Sequence, residues 1–389
     1  MLSFDNTAIA FSTKNNSDLK RSYWLFKMVA SQSVVNFAKT ATDLAIKLHI
    51  PISWIIKPTI FKQFCGGEPI TECNAAIKLL ANSKVKTILD YSIEGKVLES
   101  DFDATAEELI KTIQRAKGDA NIPYSVFKVT GIGKIEILEK ANNGEEKLNA
   151  DEKAQLYRIK DRVNKICKAG FDNDVPVLID AEESWIQNTI DRMTDDMMKA
   201  YNKTRPLVYN TFQLYRWDRL DFLKSSFEKA QSEGYYLGAK LVRGAYMEKE
   251  RERAELYGYK SPIQPDKEAS DKDYDKALEF CIKNIDRIGL CAGSHNENSA
   301  FCLVKLMSDG SIAKNHKNIF FSQLLGMSDH ISYNLANEGY NVCKYMPYGP
   351  VKEVLPYLIR RAQENTSVKG QTGRELSLIL KEQERRKHS

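Results

Sequence analysis

Eight short apolar or β-branched runs alternate with longer helical patterns along this chain. That alternation constrains its architecture more than any other feature. The runs cover 85–91, 125–130, 175–180, 207–212, 237–242, 290–294, 318–322 and 342–345. Helical patterns fall between them at 107–117, 151–168, 185–202, 217–232, 274–288, 297–307 and 328–338. A strand-then-helix repeat produces a parallel sheet. Eight rounds predict an α/β fold closed as a (β/α)8 barrel of the TIM type, rather than a doubly wound sheet. The first 80 residues have no such strand and read as helical, with amphipathic stretches at 8–10 and 23–48 and a break at Cys65-Gly66-Gly67-Glu68-Pro69. The expected organisation is a helical N-terminal extension over 1–80, the barrel over 81–370 and a helical C-terminal tail over 371–389.

Composition narrows the function classes. Lys and Arg total 57 against 52 Asp and Glu, a net charge of only +5. Such a balance lacks the electrostatic footprint of a nucleic-acid binder. With 42% hydrophobic and 28% charged residues the chain is globular with a sizeable core. No window holds the roughly 18 consecutive apolar residues of a spanning helix, and the apolar stretch 50–61 is broken by Pro51, Lys57 and Pro58. Asp5 and Asp18, without an apolar h-region, argue against a secretory or transit leader. The seven cysteines are odd in number and never arranged as Cys-x-x-Cys, which reads as reduced intracellular thiols. The expected location is cytoplasmic, with a peripheral contact on the inner face of the cell membrane.

Several apolar runs end abruptly in a polar or ionisable residue: Lys128, Asp180, Asn210, Lys240, and Ser294-His295. In parallel barrels the loops at the C-terminal strand ends carry the chemistry, so a series of such residues points to a site. Familiar motifs fail. Gly131-Ile132-Gly133 follows a strand, but Glu136 stands where a dinucleotide fingerprint needs its third glycine. There is no phosphate-binding Gly-Lys-Ser/Thr loop, and no paired histidine spacing for zinc, so no metal site is expected. No Gly-x-Ser-x-Gly elbow is present. The mixed-sign run 248–253 is read as a solvated helix face, and the basic residues 385–388 as an exposed terminus.

The most informative segment runs from Tyr345 through Gly349-Pro350 to Asn365. A strand ends in a turn and passes into a helix whose apolar stripe is Val351, Val354, Leu355, Leu358 and Ala362. Beside it fall Tyr357, Arg360, Arg361 and Glu364, and Pro356 is expected to kink or restart the helix. Adjacent arginines repel unless an anion joins them, and a carboxylate fits their parallel donors.

With these residues in view, the chain resembles the proline dehydrogenase (proline oxidase) family in its monofunctional form. The resemblance is carried by Phe127-Lys128-Val129-Thr130-Gly131, Ile179-Asp180-Ala181-Glu182-Glu183, Asn210-Thr211-Phe212-Gln213, Lys240-Leu241-Val242-Arg243-Gly244-Ala245-Tyr246, Ser294-His295-Asn296, Gln323-Leu324-Leu325-Gly326-Met327 and Tyr357-Leu358-Ile359-Arg360-Arg361, in family order. It implies a distorted barrel holding FAD without a dinucleotide-binding domain, oxidation of L-proline to Δ1-pyrroline-5-carboxylate, and a quinone acceptor in a membrane. It further implies that Arg360 and Arg361, with Lys128, clamp the substrate carboxylate, while Tyr345, Tyr357, Leu324 and Tyr246 wall the ring. Asp180 would hold Lys128 or nearby polar groups, and Lys240 would place its cation by the flavin. Asn210, Val242, Gly244, Ser294, His295 and Glu364 complete the implied cofactor set. Glu68 resembles an acid that pairs with a carboxylate-binding arginine and gates the site. Tyr345 would crowd a 4-hydroxyl, which favours proline over hydroxyproline.

Two other classes compete. A barrel lyase would use Lys128 or Lys240 as a Schiff base without flavin. A catalytically dead binding module would keep the fold and lose the clamp.

Overall fold

The computed structural model describes residues 2–31, 33, 53–93, 96–367 and 371–388. Eight parallel strands follow one another in a closed barrel. They are β1 (Val85–Tyr91), β2 (Tyr124–Lys128), β3 (Val177–Asp180), β4 (Val208–Gln213), β5 (Leu237–Val242), β6 (Ile288–Gly293), β7 (Ile319–Leu324) and β8 (Val342–Tyr348). The expected (β/α)8 architecture is therefore present, with every strand on its apolar run. These strands are buried on both faces, as a sheet sleeved by helices requires. β8 runs three residues beyond its expected end, through Pro347, whose carbonyl accepts from the Gly66 N–H at 2.9 Å.

The chain divides into two compact units that do not follow sequence order. One is continuous, 95–322; the other is built from both ends, 1–94 with 323–389. The continuous unit contains β2 to β6 in register, Lys128 opposite Asp180 and Thr211 opposite Lys240. Its helix Met247–Tyr257 contains the mixed-sign run, and here the expectation of a solvated face needs correction. Glu250 is fully buried. Its carboxylate accepts from the Ser184 N–H and hydroxyl, both at 2.6 Å, at the start of the helix Ser184–Tyr201. Negative charge at a helix N-terminus meets free N–H donors and the positive end of the dipole.

In the unit formed by the two ends, the helix Asn16–Val29 opens with a capping box between Asn15 and Asp18. It packs with the helix Gln371–Lys387 around Phe11, Leu19, Phe26, Leu378 and Ile379. A second core joins Phe61, Phe64 and Met327 to Val354, Leu355, Tyr357 and Leu358. The helix expected over 23–48 is described as far as Val29, and 34–52 lie outside the described residues. The helix Val351–Ser367 passes through Pro356 without restarting. Pro356 and Lys352, whose carbonyl a proline at this position cannot pair, are both exposed. Among the described residues, no helix is long and apolar enough to cross a membrane.

Candidate active site

In the continuous unit the strand ends gather a charged cluster. Lys240 Nζ lies 2.5 Å from Asp180 Oδ1, and both residues are buried. Removing two charges from water is expensive, so such a pair is poor evidence of stability and better evidence of a site. Lys128, opposite Asp180 in the register, is half-buried at the end of β2. Two residues beyond Asp180, the buried Glu182 accepts from the Thr130 N–H at 3.0 Å and from its hydroxyl. Burial pushes the Glu182 carboxyl up to about 7. Glu183 adds to that shift, while Lys128 and Thr130 oppose it.

Alternation along β4 corrects one expected residue. Thr211 and Gln213 stand opposite Lys240 and Val242, so they share the face of the Lys240–Asp180 pair. Asn210 points the other way, toward the helices. Its amide nitrogen donates to Asp191 Oδ1 at 3.0 Å, and Asp191 is ion-paired to Arg219 at 2.6 Å. Asn210 therefore supports strand-to-helix packing, and Gln213 lies on the face of Lys240. Gln213 donates to the Glu182 carbonyl at 2.8 Å, and its buried Oε1 has no partner.

After β5 the chain turns through Gly244 at φ +143°, where a Cβ would collide with the Tyr215 ring. Val242 and Tyr246 flank this turn and are half-buried. Between them Arg243, absent from the expected set, donates to Asp271 Oδ1 at 2.5 Å, Ser294 Oγ at 2.8 Å and Ser299 Oγ at 2.9 Å. Its guanidinium lies 4.5 Å from the centre of the Tyr274 ring. The expected Ser294 is thus positioned by Arg243, and the half-buried His295 follows it. Arg243 lies in the block 240–246 that carries the resemblance, but no role was assigned to it there. Gln213, two steps from Thr211, shares its face, which only the pairing with β5 shows.

The other unit holds the arginine helix. Gly349, at φ +143°, leads from β8 into Val351–Ser367. Tyr345 and Tyr357 are buried, and Leu324 packs against the cluster that includes Tyr357. Arg361 is 7% exposed, with its guanidinium 5.1 Å from the Tyr357 ring centre. Arg360 beside it is half-buried. A guanidinium over an aromatic face gains from the ring's negative face. Glu68 accepts from the Val351 N–H at 3.1 Å and pairs with Lys57 at 2.5 Å. The hydrogen bond from Lys57 holds its carboxyl below the usual range. Glu68 thus meets Lys57 and the start of the arginine helix. The side chain of Glu364 lies outside the described residues.

A family model described as proline dehydrogenase matches residues 73–374. Proline dehydrogenase 1, mitochondrial, of Dictyostelium discoideum is 33% identical over 98% of this chain and 74% of its own length. Hydroxyproline dehydrogenase of Xenopus laevis is 31% identical over 99% of this chain and 90% of its own. Among solved structures, proline utilization A from Bdellovibrio bacteriovorus superposes with a TM-score of 0.71 at 22% identity. That match covers 93% of this chain but only 38% of the larger protein, and it establishes the likeness of fold.

Proposed function

Because the chain belongs to the proline dehydrogenase family, we propose that it oxidises L-proline to Δ1-pyrroline-5-carboxylate, with FAD as resident cofactor and a membrane quinone as final acceptor. The observation that carries this reading is the Arg360-Arg361 pair, one member stacked on Tyr357, beside the apolar surface that includes Leu324. Two guanidinium groups suit one carboxylate, and the apolar wall suits a small saturated ring. Tyr345 is a bulky phenol where a 4-hydroxyl would need room, so proline is favoured over the substrate named for the Xenopus relative.

The donor set of the continuous unit fits a flavin dinucleotide. Gln213 offers a buried Oε1 without a partner, Lys240 and Arg243 supply positive charge, and Gly244 allows close backbone approach. FAD, when bound, supplies the hydride acceptor. The residues of this chain bind, orient and exclude water. Arg360 and Arg361 fix the carboxylate end, Tyr345 and Leu324 restrain the ring, and Lys240, steadied by Asp180, keeps a cation where negative charge would develop. An amine paired with a carboxylate is a poor nucleophile, which weighs against Lys240 as a Schiff base. A peripheral membrane contact accompanies the quinone in this proposal, and Trp24 and Met28 are exposed one turn apart on the same helix.

The test is anaerobic titration of the purified yellow protein with proline. Proline is expected to bleach the flavin absorbance, and Arg361→Met should weaken its binding by about 2–5 kcal/mol, roughly 30-fold or more in KM, with flavin content unchanged. A flavin that proline leaves oxidised would overturn the reading.

A further inference from the structure

The turn after β7, Leu324-Leu325-Gly326-Met327-Ser328, is held by buried groups from far along the sequence. Gly326 sits at φ +77°, where a Cβ would collide with the Gln63 carbonyl, and Ser328 at φ +50°. Glycine takes such a φ freely, but the left-handed Ser328 makes the turn unfavourable on its own. Its carbonyls are nevertheless individually secured. Lys344 Nζ donates to the Leu324 carbonyl at 3.3 Å and to that of Met327. Gln63 Nε2 donates to the Gly326 carbonyl at 2.9 Å.

Lys344 is fully buried, and its charge is matched by Asp329 Oδ1 at 2.8 Å. The other oxygen of Asp329 takes Lys14 at 2.8 Å, from the segment preceding the helix Asn16–Val29. A buried ammonium is costly unless it is paired and its donors are used. Here the donors are used on the turn, while the pairing reaches back to the N-terminal segment. A purely apolar core would fill the same space without that cost, so the arrangement calls for a role beyond packing.

We propose that Lys344, held in place by Asp329 and Lys14, is a positioning residue that sets Leu324 against the substrate ring, so that the N-terminal segment tunes substrate affinity. The proposal rests on the reading above that Leu324 walls the ring of proline. Lys344 reaches the backbone of Leu324 directly and leaves the carboxylate end of the ligand to the arginines. Loosening the network should therefore weaken recognition of a ring more than recognition of a bare carboxylate.

The experiment compares Asp329→Asn, Lys14→Met and Lys14→Arg in the flavin-loaded enzyme, measuring KM and kcat for proline and Ki for propionate, an acyclic carboxylate. Asp329→Asn removes the carboxylate that is ion-paired with Lys344. Lys14→Met, at the edge of the network, is the variant that keeps the proposal falsifiable if Asp329→Asn does not fold. The expected result is a KM for proline raised about 5–20-fold in Lys14→Met, with Ki for propionate within about 2-fold of wild type. Lys14→Arg should restore KM. An unchanged KM in Lys14→Met, or equal weakening of proline and propionate, would overturn the positioning role while leaving proline oxidation standing. Wild-type protein that does not turn over proline would overturn the reading beneath it.

Discussion

At the scale of single residues, Glu182 is the group whose charge depends most on conditions near neutrality. Its carboxyl is pushed from an ordinary 4.5 to about 7 by burial, with Glu183 adding and Lys128 opposing. The folded chain therefore keeps a proton that the unfolded chain releases between pH 4.5 and 7. Stability is lost as pH rises through that window, by roughly 3 kcal/mol in total. Glu182→Gln should remove this dependence, since an amide oxygen still accepts from Thr130 without a charge to bury. In thermal unfolding the variant should gain on wild type at pH 8 and not at pH 4.5; an equal gain at both would refute the assignment. Residue identity was readable in the sequence at this scale, but surroundings were not. Asp180 and Lys240 announced themselves as polar groups closing apolar runs, and the arginines as an adjacent pair beside an apolar stripe, whereas the surroundings of Glu182 and Arg243 come only from what folds around them.

Among elements, the sequence indicated where each strand lies, because a buried parallel strand is an uninterrupted apolar run. It was less reliable on which way side chains face. Asn210 and Thr211 are adjacent polar residues, and only pairing with β5 shows which of them shares the face of Lys240. The same ambiguity hid Glu250 among charged neighbours on the helix Met247–Tyr257. Its place beneath the helix Ser184–Tyr201 gives that element a buried, charged N-terminal acceptor. Glu250→Ala would strand the Ser184 N–H and should cost about 2–3 kcal/mol. Glu250→Gln, which keeps an acceptor, should recover more than half of that in urea unfolding. No loss in the alanine variant would show that water replaces the carboxylate.

For the molecule as a whole, the two ends of the chain share one compact unit. Glu382 is central to that join. It binds Arg385 and Arg386, and Arg386 donates to the carbonyls of Phe11 at 3.0 Å and Lys14 at 2.8 Å. Burial works against its ionisation, yet the hydrogen bonds from the two arginines outweigh it and hold the carboxyl down to about 2. The stabilisation is present above pH 4.5 and lost as pH falls toward 2. Protection factors for hydrogen exchange over 371–388, taken against the intrinsic rate at each pH, should therefore fall on acidification across that range, and Glu382→Gln should show low protection already at pH 5. Protection indifferent to acid would separate the join from this carboxylate. The two-ended unit also imposes a timetable on biosynthesis. Its first 94 residues leave the ribosome well before their partners, with the whole of 95–322 still to be made in between. At about 5–20 residues per second that wait is on the order of ten seconds to most of a minute. Nascent Phe11, Leu19 and Phe26 spend that interval without the helix that covers them, so their cover depends on turns synthesised much later.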